Sequence, residues 1–391
     1  MSDDPQARAA EILRRAEELV PVLAERAQAT EALRSLPADT IADIRAAGLH
    51  TMGKPLRLGG AELPLDAIVQ IVATLARGCA STAWVCGVYS DHAMIVGMMD
   101  PRVADEIWAD EPDALIATGY FPSGTNEPDG DGWRLTGRWG FASGCDFARW
   151  AFLGSIMAAG DGPPEPHLCL VPIDEVEIDD DWQVMGLAGT GSKTLVADGA
   201  FVPRHRTIPL RLIGGGWEAR GSPDVPPLYR LPHVCTIPFH FCATALGTAE
   251  SLLEDVITEI GARHSLGAPV AEYATMQMRV AAASVELDCA RMLIERDTRE
   301  AMAAMREGRS LTLAERARNR RDMAYAARFC RRAAEELFEA GGARSVYSAS
   351  APQRKFRDVR VAANHIILKW DVAGTTYGRV AFGLDPASPF I

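Results

Sequence analysis

The stretch Gly137-Arg138-Trp139-Gly140-Phe141-Ala142-Ser143-Gly144 reads as a strand that ends by delivering a hydroxyl. Ahead of it, Trp133, Leu135 and Thr136 mix apolar and β-branched residues as a half-buried strand does, and Pro, Gly and Asp cluster over 122–132 to bound it. Ser143 stands between a small residue and a glycine. That arrangement lets backbone and side chain both come within hydrogen-bond distance of a planar ring. A serine before a glycine at a strand end also serves as an ordinary turn residue, and the octapeptide alone is compatible with either use.

Outward from this strand the chain divides into three zones. Residues 6–110 carry helical patterns: an Ala/Glu/Arg/Leu-rich run from Pro5 to Leu36, an amphipathic piece at Asp39–Ala47, and apolar helices near 65–77 and 82–98, after which Pro101 suits the first turn of another helix. From about 113 to 230, Gly, Pro and Asp punctuate short runs such as Leu168–Ile173 and Thr194–Val202, which marks a β-rich insert. After Pro238 the long helices return. Leu246, Ala249, Leu252, Leu253, Val256, Ile257 and Ile260 keep the three-and-four spacing of one buried stripe, and further helices are predicted over about 269–307, 311–340 and, less regularly, 358–381. The order is α+β with a helical bundle at the end. No Gly-x-Gly-x-x-Gly follows a strand, and Gly186-Leu187-Ala188-Gly189-Thr190-Gly191-Ser192-Lys193 misses the phosphate-loop spacing.

Composition narrows the function classes. The chain has 391 residues, enough for two or three packed units, and its longest apolar stretch, 232–249, is interrupted by His, Pro, Thr and Gly before it reaches the length of a membrane span. The acidic first residues lack the order of a secretory signal, so a cytoplasmic protein is expected. Eight scattered cysteines without a Cys-x-x-Cys pair read as buried thiols, not disulfides or metal ligands. A formal charge of −12 argues against a nucleic-acid partner. The arginine-rich run Arg316 to Arg332 also carries Met323, Ala326, Ala327 and Cys330 at helical spacing, so it reads as the solvated or subunit-facing side of an amphipathic helix.

Taken together, Ser81-Thr82-Ala83-Trp84, Gly137 to Gly144, Met185 to Lys193, Phe201-Val202-Pro203, Arg263 to Gln277 and Arg357-Asp358 to His365 resemble the acyl-CoA dehydrogenase fold, and within it the two-component flavin-dependent monooxygenases that include 4-hydroxyphenylacetate hydroxylase. The resemblance spans nearly the whole chain. It implies an N-terminal helical domain (1–112), a central β-barrel (113–231) and a C-terminal four-helix bundle (232–391) that assembles as a homotetramer. It also implies reduced FMN or FADH2 as cofactor, delivered by a separate NAD(P)H:flavin reductase, with molecular oxygen as co-substrate. The expected reaction is hydroxylation of a small aromatic, phenolic or polyketide-type substrate by a flavin C4a-hydroperoxide. The alternative is an acyl-CoA dehydrogenase or related flavin oxidase.

Carried over residue by residue, the resemblance sets Ser143 against flavin N5, and His92 and His365 on the substrate and oxygen side. Imidazole suits that side, because it can take the proton of a phenol, the part expected of His365, or donate a hydrogen bond that orients the substrate or oxygen, the part expected of His92. Trp84 matches an aromatic near the flavin, although Trp in an apolar helix also serves as plain core. Thr118 matches a hydroxyl beside the substrate. Thr190, Ser192 and Lys193 offer donors and charge to the flavin phosphate, and Arg263 stands where the fold reaches the cofactor of a neighbouring subunit; ordinary surface charge is the other reading of Lys193 and Arg263. His50, His167, His205, His233 and His264 read as core or surface residues, and His240 stays open. One departure is informative. Dehydrogenases carry Tyr-Glu-Gly-Thr in the stretch after Arg-Asp, with glutamate as base, whereas Arg357-Asp358 is followed here by Val359-Arg360-Val361-Ala362-Ala363-Asn364-His365.

Overall fold

The computed structural model describes residues 4–157, 163–215, 225–265, 267–388 and 391. Helix α1 (Pro5–Leu33) begins where the Asp4 side chain accepts from the Gln6 N–H with Pro5 in the first turn, and it ends at Arg34, whose φ of 54° leaves the right-handed region. Helix α2 (Ala38–Ala46) leads to α3 (Leu65–Gly78), which buries Ile68, Val69, Ile71, Val72 and Leu75. Helix α4 (Ala80–Val96) is buried on almost every side, as a helix apolar all round must be. It lies at the centre, packed on α3, on the sheet and on the bundle. Helix α5 (Pro101–Trp108) starts at Pro101 behind an Asp100 cap.

Seven strands follow: β1 (Ile116–Asp129), β2 (Gly132–Ala142), β3 (Trp150–Met157), β4 (Glu165–Pro172), β5 (Glu177–Asp179), β6 (Lys193–Pro203) and β7 (Thr207–Pro209), in the order β5-β6-β2-β1-β3-β4-β7. The predicted barrel is not closed: β5 and β7 are the edges of an open sheet. The reason lies in β1. Its first residues pair parallel with β3, and Thr125 to Asp129 pair antiparallel with β2, with a register shift between Gly119 and Gly124. The sheet bends there into two leaves, which bury Leu135, Trp139, Leu153, Val171, Leu195 and Val202 between them. Neighbours on the same strands, Phe152, Leu168 and Leu170, face the helical core instead. Alternation along the strand thus makes β3 and β4 buried on both faces.

The bundle contains α6 (Ile237–Ala262), α7 (Ala274–Arg306), α8 (Leu313–Gly341), α9 (Ala351–Ala362) and α10 (Trp370–Ala381). Helix α8 opens with a capping box between Thr312 and Glu315. The last helix, predicted as one piece over 358–381, is two. His365 breaks it by capping a short turn, Ile366–Leu368, with its ring nitrogen. All eight cysteines are free thiols, buried except for the half-buried Cys289. Among the described residues, no helix is long and apolar enough to cross a membrane.

Candidate functional site

Strand β2 ends in a distorted turn. Its pairing with β6 slips between Trp139 and Ala142, and Phe141 takes a φ of 65° that turns its ring to solvent beside Trp182. Gly144 follows at φ 72°, and a Cβ there would meet the Tyr89 hydroxyl 2.5 Å away. That hydroxyl donates to the Gly144 carbonyl at 2.7 Å, which ties the strand end to α4. Only glycine fits both the dihedral and the contact.

Between Phe141 and Gly144 lie two inward residues, and the Ser143 hydroxyl enters a buried chain of polar groups. It accepts from Trp84 Nε1 at 3.1 Å and shares a 2.8 Å hydrogen bond with Ser192 Oγ. Ser192 in turn bonds Thr190 Oγ1 at 2.7 Å, and Thr190 donates to the Leu187 carbonyl at 2.7 Å. Four of the residues singled out in the sequence, Trp84, Ser143, Thr190 and Ser192, therefore meet in one network.

On the other face of Trp84 is an aromatic wall. Phe241 stacks on the indole at 4.0 Å between ring centroids with an interplanar angle of 15°, and the half-buried His365 lies 4.2 Å from Phe241 and 5.6 Å from Trp84. Burial and then the charge of Arg320 push the His365 imidazole down to about 4. Its Nδ1 accepts from the Ile367 N–H at 3.3 Å, so the neutral ring carries its proton on Nε2. His92 has the opposite tautomer. Nδ1–H donates to the Ile116 carbonyl at 2.6 Å, which leaves the lone pair on Nε2. Burial lowers this imidazole to about 4, against the pull of the Ile116 carbonyl and Asp91. Both rings are neutral through the ordinary working range. Thr118 Oγ1, two residues along β1 from Ile116, is buried without a hydrogen-bond partner among the described residues.

Two expected cofactor residues lie apart from this cluster. Lys193 Nζ bonds Asp146 at 2.8 Å and lies 3.6 Å from Asp180, so carboxylates of its own chain balance its charge. Arg263 donates to the carbonyls of Gly341 at 2.7 Å and Ala340 at 3.1 Å, closing the end of α8. Sequence reasoning also missed a charged cluster next to His92. Asp91 Oδ2 accepts from His233 Nε2 at 2.5 Å, and Oδ1 accepts from Thr236 Oγ1 at 3.1 Å and lies 3.6 Å from His240 Nε2. Burial would raise the Asp91 carboxyl, but His233 and His240 hold it well below the usual carboxylate range. His233 therefore leaves the group of bland histidines, and Tyr120 stacks on its ring. The signal available in the sequence was an Asp in an apolar helix and the Phe239-His240-Phe241 triplet at a helix start.

A family model, acyl-CoA dehydrogenase C-terminal domain, matches residues 239–370. Over 381 residues the chain is 34% identical to the FADH(2)-dependent resorcinol hydroxylase oxygenase component of Rhizobium sp. (strain MTP-10005), covering 93% of this chain and 92% of that protein. The chain belongs to this family of flavin-dependent oxygenase components. Solved structures of two similar proteins share the architecture of this oxygenase. The HsaA monooxygenase from M. tuberculosis matches with a TM-score of 0.92 and 30% identity over 98% of this chain and 100% of that one. XiaF from Streptomyces sp., solved with FADH2 and glycerol, matches with a TM-score of 0.93 and 28% identity over 98% of each chain.

Proposed function

We propose that this oxygenase uses reduced flavin and molecular oxygen to hydroxylate a small phenolic compound, as the oxygenase half of a two-component system in the cytoplasm. The observation that carries this reading is the convergence of Trp84, Ser143 and His365, from the first helices, the sheet and the last helices, on one wall with Phe241. Each of the three proposed units, 1–112, 113–231 and 232–391, supplies one of these three residues. The donor set suits an isoalloxazine: small hydroxyls that both donate and accept, and flat aromatic neighbours. A dehydrogenase of the Tyr-Glu-Gly-Thr type would carry its carboxylate base in the stretch after Arg357-Asp358, and the group found there is the His365 imidazole; a base on another helix keeps the dehydrogenase as the alternative to be tested.

In this reading Ser143 meets the N5 side of the ring and Trp84 borders it. Thr190 and Ser192, expected at the phosphate, stand in line behind the Ser143 hydroxyl and support the N5 side instead. Lys193 offers charge to the phosphate end, and Arg263 keeps further N–H groups for the phosphate of a neighbouring copy. Reduced flavin, supplied by a separate NAD(P)H:flavin reductase, brings the electrons that activate oxygen. The two imidazoles divide the substrate work by tautomer. His92 presents an acceptor to a phenolic hydroxyl, and His365 presents an Nε2–H donor to oxygen. This reverses the simplest assignment, in which His365 takes the proton. Thr118 is left with a buried hydroxyl for the substrate.

We propose a homotetramer on the pattern of α7, where Met278, Val285 and Met292 repeat every seven residues and are 71%, 57% and 61% exposed. Such a stripe needs a partner helix. The test of function is to mix the protein anaerobically with photoreduced FAD or FMN and a panel of phenols, then admit ¹⁸O₂. A phenol that gains one labelled oxygen supports the reading. Tightly held oxidised flavin that dehydrogenates acyl thioesters, with no labelled phenol, would replace it by the dehydrogenase alternative.

A further inference from the structure

The segment Gly186 to Lys193 has no phosphate-loop spacing, yet the Arg357-Asp358 pair of α9 grips it from both sides of one residue. A Cβ at Gly186 would lie 2.5 Å from the Arg357 carbonyl, so helix and loop touch backbone to backbone. Arg357 donates to the Met185 carbonyl and pairs with Glu31 at 2.6 Å. On the far side of Gly186, Leu187 N–H donates to Asp358 Oδ1 at 2.6 Å. Leu187 has a φ of 53°, a left-handed conformation that costs a residue with a Cβ about 1 kcal/mol. Its carbonyl is held as well, accepting from Thr190 N at 3.1 Å, Thr190 Oγ1 at 2.7 Å and Trp182 Nε1 at 3.3 Å.

Two routes lead from this turn to the end of β2. The Thr190 carbonyl accepts from the Gly144 N–H at 2.8 Å, and the Thr190 hydroxyl reaches Ser143 through Ser192. Both start from Thr190, whose place is set by the Leu187 backbone. A hydroxyl already taking the Trp84 N–H has its remaining direction decided by Ser192, so a shift of this turn rotates the Ser143 proton. We infer that Asp358 is a positioning residue for the Ser143 hydroxyl, acting through the Leu187 backbone and the Thr190–Ser192 pair. Burial pushes the Asp358 carboxyl up to about 6 against the pull of the Leu187 N–H. A carboxylate kept in so unfavourable a place is explained by a charge-assisted hydrogen bond that a neutral acceptor makes only at about half strength. The inference rests on the proposed reading only for what Ser143 touches.

The first measurement needs no flavin. Hydrogen–deuterium exchange of the full chain compares wild type with Asp358→Ala and Asp358→Asn, the second of which keeps a carbonyl oxygen for Leu187. Exchange in the peptides covering 186–193 and 143–145 should rise about tenfold in the alanine variant and severalfold in the asparagine variant, with the other bundle helices unchanged. If the alanine variant does not fold, the asparagine variant decides alone. Unchanged exchange in the folded variants overturns the inference. The second measurement is a double-mutant cycle on the fraction of oxygen released as hydrogen peroxide. Asp358→Asn should increase it in wild type and add nothing in a Ser143→Ala background, and an additive effect overturns the route through Ser143. The expected exchange rise in the Asp358 variants, together with a wild type that hydroxylates no phenol, would refute the proposed function and leave the positioning role standing.

Discussion

Replacing His92 by Gln tests the buried neutral imidazole directly. The amide still offers an N–H to the Ile116 carbonyl, to which His92 donates at 2.6 Å, but it does not titrate. The wild-type ring is lowered to about 4 by burial, whereas an unfolded chain binds the proton at about 6.5. Between these values the unfolded state holds more protons, so stability present above about 6.5 is lost as the pH falls towards 4. With these two values, the wild type at pH 5 should be about 2 kcal/mol less stable than at pH 7.5 from this group alone. Denaturant unfolding at both pH values, read as the change in midpoint multiplied by the slope, gives the number for each protein. The variant should lose about 2 kcal/mol less than wild type over the same interval, although its absolute stability at pH 7.5 is lower for the lost packing. Equal losses in the two proteins would mean that His92 titrates as a solvated imidazole, and the acceptor role assigned to its Nε2 would fail with it.

Because both His92 and His365 are lowered to about 4, the oxygen-transfer step in single-turnover kinetics should be flat from about pH 6 to 8, and an ionisation near 6.5 that disappears in either His→Ala variant would contradict this. Ser143→Ala removes the hydroxyl that in the proposed reading meets flavin N5; losing that hydrogen bond, on the order of 1–3 kcal/mol, should raise the peroxide-elimination rate about 5- to 150-fold, and an unchanged rate would remove Ser143 from the flavin site. Val285→Glu, in the middle of the exposed α7 stripe, should split the assembly in light scattering and lower activity on dilution, whereas an unchanged mass would place the contact elsewhere.

Period and punctuation in the sequence were enough for the helix–sheet–helix order, because a buried helical stripe and a two-residue strand alternation are local properties of the chain. They were enough too for Gly144, where a hydroxyl, a glycine and a strand end fall together; the imidazole in place of a carboxylate after Arg357-Asp358 was legible only through the family resemblance. Tertiary structure alone decided the rest. Bending of β1 between two partners left the sheet open, since pairing depends on which strand arrives alongside and not on the propensity of β1. The break at His365 follows from a ring nitrogen capping Ile367, an event no helical periodicity records. Asp91 and His233 meet across 142 residues, and Leu187 and Asp358 across 171. A buried polar group needs a partner, but that requirement names no address in the chain. The tautomers of the two imidazoles show the same limit, for each is set by the backbone group its other nitrogen happens to meet, and only the folded chain brings that group within reach.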